Sequence, residues 1–143
     1  SNLLPWRESG ARTIEIPEGP GGGPDMAALE AALRSAARAD LVVGAFSAAS
    51  NVTGIVTDVD AVTRLLKRYR ALAVWDYGCG GPYMPMEMKS GTDIARDAII
   101  YSSHKFPGGP GASGVMVIRD SIVRRETPTA PGGGTVTFVS PWG

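Results

Sequence analysis

The sequence predicts an α/β fold: a mostly parallel central sheet flanked by helices. Three observations lead there. The runs "LVVGAF" (41–46), "LAVWD" (72–76), "AIIYS" (98–102) and "GVMVIR" (114–119) are of strand length and nearly continuously apolar, as strands are when both faces of a sheet are covered. Two segments of helical spacing alternate with them, which is the pattern of βαβ units. Polar residues and glycine-rich loops follow several strand ends, where open α/β sheets bind their ligands.

Taken in order, "TIEIP" (13–17) alternates as a short strand does, and "EGPGGGP" (18–24) then breaks the pattern with loop residues. No strand-to-helix G-x-G-x-x-G fingerprint is formed there. "DMAALEAALRSAARAD" (25–40) reads as an alanine-rich helix with Asp25 as its N-cap and Met26, Leu29 and Leu33 along one face. "TDVDAVTRLLKRYRA" (57–71) opens with a capping-box-like Thr57 and Asp60 and places Val62, Leu65, Leu66 and Tyr69 at helical spacing. After "APGGG" (130–134), "TVTFV" (135–139) reads as a last strand or extended loop. Trp6 and Trp75 read as core or interface residues.

Composition narrows the function. At 143 residues the chain has the length of one domain with a real core, and 43% hydrophobic against 20% charged residues is ordinary for a soluble globular protein. Fourteen basic and fourteen acidic residues cancel, so neither nucleic acid nor an anionic membrane is expected as main partner. No apolar run approaches the about 20 residues of a membrane span. The single Cys79 excludes an internal disulfide framework and fits a reducing compartment, so the expected location is cytoplasmic. No metal site is expected.

The chemistry gathers at three strand ends. "LVVGAF" runs into "SAASN" with Asn51, "LAVWD" ends in Asp76, and "AIIYS" runs into Ser102, Ser103, His104 and Lys105. A lysine partly removed from water can present a neutral amine that forms a Schiff base with an aldehyde. A carboxylate beside a pyridine nitrogen keeps that ring protonated, as pyridoxal phosphate chemistry requires. Ser102 and His104, before a glycine-rich turn, can donate to a phosphate. Each residue also has a structural reading: a solvated turn for His104 and Lys105, a cap or turn for Asp76, and a cap on the "NVTG" turn for Asn51. Cys79 reads as a small packed residue. "GGPGASG" lacks the Walker pattern, because Lys105 precedes the glycines.

"DAIIYSSHKFPGGPGASGVMV" resembles the cofactor-attachment signature of the class V aminotransferase family, which includes cysteine desulfurases, selenocysteine lyases and kynureninases. "FSAASNVTGIVTDVDAVTRLLKRYRALAVWDYGCGGPY" and "PGGGTV" resemble neighbouring segments of that family. The resemblance implies pyridoxal 5'-phosphate as cofactor and a fold-type I large domain, an amino-acid substrate and a homodimer. By it, Lys105 holds the cofactor as an internal aldimine and carries the proton at the substrate Cα. Asp76 pairs with the pyridinium nitrogen, and Asn51 lies near the phenolic oxygen or the substrate carboxylate. Ser102 and His104 bind the phosphate, and Thr135 reaches the phosphate of a neighbouring subunit.

Two departures bear on the reaction. Many desulfurases carry glutamine three positions after the aspartate, where this chain has Cys79, and often glycine directly after it, where this chain has Tyr77. Cys79 follows the cofactor strand and is not expected to be the mobile desulfurase cysteine. The N-terminal phosphate loop and the C-terminal small domain of the family are not recognised, so residues 1–143 are expected to be a partial large domain. A non-catalytic remnant serving as a binding or assembly module is the alternative.

Overall fold

The computed structural model of the chain describes residues 3–127. Helix α1 (Leu4–Glu8) precedes α2 (Met26–Ser35), β1 (Val43–Ser47), α3 (Val59–Arg68), β2 (Leu72–Asp76), β3 (Ala98–Ser102) and β4 (Gly114–Ile118), with 3-10 turns at Ser103–Lys105 and Asp120–Ile122. The strands form one sheet in the order β1-β2-β3-β4; β1, β2 and β3 run parallel, and β4 is antiparallel to β3. The mostly parallel α/β architecture is therefore present, and the segment 135–139 and Thr135 lie outside the described residues.

Local chemistry sets the helix ends. The Asp25 carboxylate accepts from the backbone N–H groups of Ala27 and Ala28, both at 2.9 Å, and satisfies two donors of the first turn of α2. Leu29 and Leu33 are buried while Met26 is exposed. The helix stops at Ser35 rather than Asp40. Beyond Ser35 the residues are almost all exposed, and alanine propensity without a buried face sustains few extra turns.

The capping box expected at Thr57 and Asp60 does not form. Asp58 caps α3 by accepting from Ala61 N at 2.9 Å. The buried Thr57 hydroxyl instead donates to Ser47 O at 2.9 Å, and Asp60 is drawn away by Lys89 and Arg96. "TIEIP" does not form a strand: Ile14 is exposed, Ile16 is half-buried, and the nearest ladder is the isolated bridge of Glu18 with Pro24. Alternation alone does not make a strand where no neighbouring strand takes up its backbone groups.

Helix α3 covers one face of the sheet. Gly44 of β1 sits under Leu66, whose methyls leave no room for a Cβ. Trp75 of β2 is fully buried, and its indole N–H donates to Thr63 of α3 at 2.9 Å. Thr63→Val leaves that N–H without its acceptor and is expected to cost about 1–3 kcal/mol. Urea unfolding checks this, with Thr63→Ser, which keeps the hydroxyl, staying closer to the parent. The opposite face carries Val43, Ala45, Val74, Ile100, Met116 and Ile118 by strand alternation. Among the described residues no helix covers it, and Met116 and Ile118 are exposed.

The crossover from β2 to β3 (77–97) contains no helix. Met84, Met86 and Met88 pack against the core from it. Arg96, 3% exposed, donates to Ile94 O at 2.9 Å and pairs with Asp60 in the first turn of α3, while Lys89 holds the other Asp60 oxygen at 2.6 Å. The Lys89 hydrogen bond, with Arg96 second among the favourable partners, holds the Asp60 carboxyl below its ordinary range. A folded-state value below the unfolded one gives stability that is present above about pH 4 and is lost as pH falls through the folded value. Asp60→Asn is therefore expected to lower the urea midpoint at pH 7 and to flatten its acid dependence.

At the amino-terminal end of β3, Asp97 is fully buried. It accepts from Ala73 N at 2.7 Å and is paired with Lys67 of α3 and, at 2.6 Å, with Arg119 just past β4. Its own backbone exchanges hydrogen bonds with Ala73 and Arg119. One side chain thus ties three elements to its strand.

Candidate cofactor site

The carboxyl-terminal ends of β1, β2 and β3 are held together by short bonds. Ala48 N donates to Asp76 O at 2.8 Å, and Tyr77 N donates to Ile100 O at 2.7 Å. The Cys79 thiol donates to Ala49 O at 3.1 Å, so the loop after β2 is pinned to the loop after β1. Asp76 and Trp75 are neighbours on opposite faces; with Trp75 turned toward α3, Asp76 points to the other side.

Ser102 shares that side, because Asp76 pairs with Ile100 and Ser102 lies two residues further along β3. Gly78 closes the gap between them. Its N–H donates to Asp76 Oδ1 at 2.7 Å, and a Cβ there would stand 2.8 Å from Asp76 Oδ1 and 3.5 Å from Ser102 Oγ. A side chain at Gly78 would displace the Asp76 carboxylate from its place beside the Ser102 hydroxyl.

After Ser102 the chain turns through Ser103–Lys105 in a 3-10 turn, with Phe106 N bonded to Ser103 O at 3.1 Å and Gly109 N to Phe106 O at 2.9 Å. Phe106 anchors this turn on the sheet. Its ring meets Tyr101 edge-on with centroids 5.8 Å apart and approaches the Cβ position of Gly81 at 3.4 Å, so the loops after β2 and β3 touch. His104 and Lys105 are exposed on the turn.

Asn51 is exposed at the end of β1, in a turn shaped by Ser50, whose hydroxyl accepts from Val52 N and Thr53 N at 3.2 Å each. It borders a groove of about 490 Å³ with Pro17, Phe46, Ser47 and Ile55. Asp76 and Ser102 are therefore side by side, His104 and Lys105 follow on the adjoining turn, and Asn51 stands on the β1 side of the same sheet end. Gly78 went unnoticed in the sequence, although small residues after a strand-end carboxylate in "DYGCGG" are its trace. Asp97 was missed too; its trace is a charge immediately before an apolar strand. Among the described residues no cluster of three or more His, Cys, Asp or Glu is placed to hold a metal, and no helix is long and apolar enough to cross a membrane.

Comparison with known proteins matches the Aminotransferase class-V family over residues 1–142. The chain belongs to the class V aminotransferase family. Members of this family depend on pyridoxal phosphate. The chain is 35% identical to a probable cysteine desulfurase of Aeropyrum pernix over 144 residues, and 30% identical to one of Pyrococcus abyssi over 143, in each case across 97% of this chain. It spans about a third of those relatives, 33% and 34% of their lengths. Among solved structures, the apo cysteine desulfurase from Thermococcus onnurineus NA1 superposes with a TM-score of 0.74 at 28% identity, over 99% of this chain and 34% of that one. A NifS-like protein from Rickettsia africae ESF-5 gives 0.65 at 25% identity, over 83% and 31%. The class V fold of this chain is thus a mostly parallel sheet of the fold-type I kind.

Proposed function

We propose that residues 1–143 are the central part of a large cofactor-binding domain, and that the longer protein is a pyridoxal-phosphate-dependent enzyme acting on an amino acid as a cytoplasmic homodimer. The observation that carries this reading is the arrangement around Gly78, where the half-buried Asp76 carboxylate and Ser102 hydroxyl lie side by side, next to the turn bearing Lys105. The donor set fits pyridoxal phosphate. A carboxylate suits a protonated ring nitrogen, hydroxyl and imidazole donors suit a phosphate, and a primary amine suits an aldehyde.

Bound there, the cofactor would supply an electron sink for the bonds at the substrate Cα. Asp76, oriented by Gly78 N–H, would hold the proton on the ring nitrogen. Ser102 and His104 would donate to the phosphate, and Thr135 would reach the phosphate held by a neighbouring subunit. The Lys105 amine would hold the aldehyde carbon and, once displaced by substrate, carry the proton to or from Cα. Asn51 would orient the phenolic oxygen or the substrate carboxylate. The names of the relatives favour a cysteine-desulfurase-like transferase or lyase within this class. Cys79 is not its nucleophile in this reading, because its thiol is engaged with Ala49 O.

Absorption spectroscopy tests the assignment. Pyridoxal phosphate added to the chain is expected to give the yellow band of a lysine-bound aldehyde, absent in Lys105→Ala. Asp76→Asn is expected to weaken cofactor binding about tenfold or more, the scale of one charge-assisted hydrogen bond. A band that survives Lys105→Ala sinks the role of that lysine; no band in the parent chain overturns cofactor capture by these residues.

A further inference from the structure

The strand beside Asp76 ends in a hydroxyl that the site described above does not use. β1 and β2 pair in parallel to their last residues, which sets Ser47 opposite Asp76. The neighbouring Phe46 fixes the side on which Ser47 lies. Its ring meets Trp75 on the α3 side, with centroids 6.0 Å apart, so by alternation Ser47 turns to the other side, where Asp76 points. The carboxylate thus has a serine on each flank, Ser47 on β1 and Ser102 on β3.

The backbone beneath Ser47 is fixed while its side chain is free. The Ser47 carbonyl accepts from the hydroxyl of buried Thr57 at 2.9 Å. Ala48 N donates to Asp76 O at 2.8 Å, and Thr57 N donates to Ala48 O at 2.9 Å. Ser47 itself is exposed, and its hydroxyl has no hydrogen-bond partner among the described residues. Serines elsewhere are spent on their own backbone: Ser9 donates to Trp6 O, Ser35 donates to Ala32 O, and Ser50 accepts from Val52 N and Thr53 N. Asp76 is only half engaged, because Gly78 N–H takes Oδ1 and no described residue donates to Oδ2. An unused donor and an unused acceptor therefore stand on paired positions of strands about 4.8 Å apart. Rotation about the two χ1 angles brings such short side chains to hydrogen-bond length.

We propose that Ser47 is a positioning residue of the cofactor site, donating its hydroxyl to Asp76 Oδ2. The inference rests on the reading of Asp76 as the carboxylate beside the ring nitrogen. Gly78 N–H on one oxygen and Ser47 O–H on the other would fix the carboxylate plane from both sides. A carboxylate has about four acceptor sites, so both bonds leave room for a ring N–H. The cofactor then meets an acceptor already aimed, with no side chain left to order on binding. Ser47 acts through Asp76 and touches no reacting atom.

Titration of the 143-residue chain with pyridoxal phosphate, followed by the band of the lysine-bound aldehyde, is the test. Ser47→Ala is expected to weaken binding about fivefold or more, the scale of one hydrogen bond to a charged group. Ser47→Thr keeps the hydroxyl and suits a strand, and should stay within about twofold of the parent. In an Asp76→Ala background, Ser47→Ala should change affinity by less than about twofold, because the hydroxyl has lost the group it orients. Urea midpoints of both Ser47 variants should match the parent's, since the side chain is exposed. Parent-like affinity in Ser47→Ala, no rescue by threonine, an equal loss with and without Asp76, or a lowered urea midpoint in Ser47→Ala overturns the proposal and leaves the cofactor reading standing. No band in the parent chain overturns both.

Discussion

Asp97→Ala is expected to lower stability by about 3 kcal/mol or more, toward the cost of breaking a buried, hydrogen-bonded ion pair. The carboxylate is fully buried and satisfies Ala73 N while pairing with Lys67 and Arg119. Alanine leaves the Ala73 N–H without its side-chain acceptor and opens a cavity where three elements meet. Lys67 and Arg119 are 22% and 41% exposed, so each can turn partly to water, which keeps the loss from being larger. A domain of this size has about 5–15 kcal/mol in total, so the variant should have a much lower urea midpoint. Asp97→Asn keeps an acceptor for Ala73 N but loses both ion pairs, and is expected to lie between parent and alanine. A midpoint for Asp97→Ala equal to the parent's would show that the hub contributes nothing.

Gly109→Ala is expected to break the turn that carries Lys105 while leaving the sheet nearly as stable as before. A Cβ at Gly109 would fall well inside contact with Ser103 O and stand 3.0 Å from Phe106 O and 3.1 Å from His104 Cα. All three obstacles are backbone, so no rotamer change relieves them. Overpacking of this kind costs about 1–3 kcal/mol, and here it falls on the bonds that fold 103–109 back under Phe106. Gly108 is the informative control. Its φ of +77° disfavours a side chain, but nothing lies within 4 Å of its Cβ position, so Gly108→Ala should cost only about 1 kcal/mol. Capture of pyridoxal phosphate should then slow in Gly109→Ala far more than in Gly108→Ala. Equal rates would show that the turn does not position the lysine.

The sheet was largely legible in the sequence, because continuous apolar runs report burial directly. "LAVWD" and "AIIYS" give β2 and β3 to the residue, and "LVVGAF" and "GVMVIR" come within two residues of β1 and β4. What failed were inferences from local pattern alone. "TIEIP" alternates but has no ladder of its own, and Thr57 has the chemistry of a cap but finds Ser47 O across the chain. Long-range partners decided both cases. The strand-end residues Asn51, Asp76, Ser102, His104 and Lys105 could be placed at one end of the sheet from order alone. The arrangement around Gly78 could not, since it depends on the register of β2 against β3. Asp97 was hidden for a similar reason: its partners Arg119, Ala73 and Lys67 are 22 to 30 positions away along the chain.

The reversal at β4 separates the lysine turn from the rest of the sheet. Ser102 pairs with Gly114, so the segment between them is a closed loop clipped at both ends by β3 and β4. Such a loop can open and close without strand separation, because its own bonds are few and its ends stay fixed. Hydrogen exchange should therefore be fast at 104–112 and slow in β2 and β3, two separate opening events within one short stretch of chain. The turn that would carry the cofactor lysine is thus expected to open on its own, hinged on Phe106, while the strand that carries Asp76 stays shut.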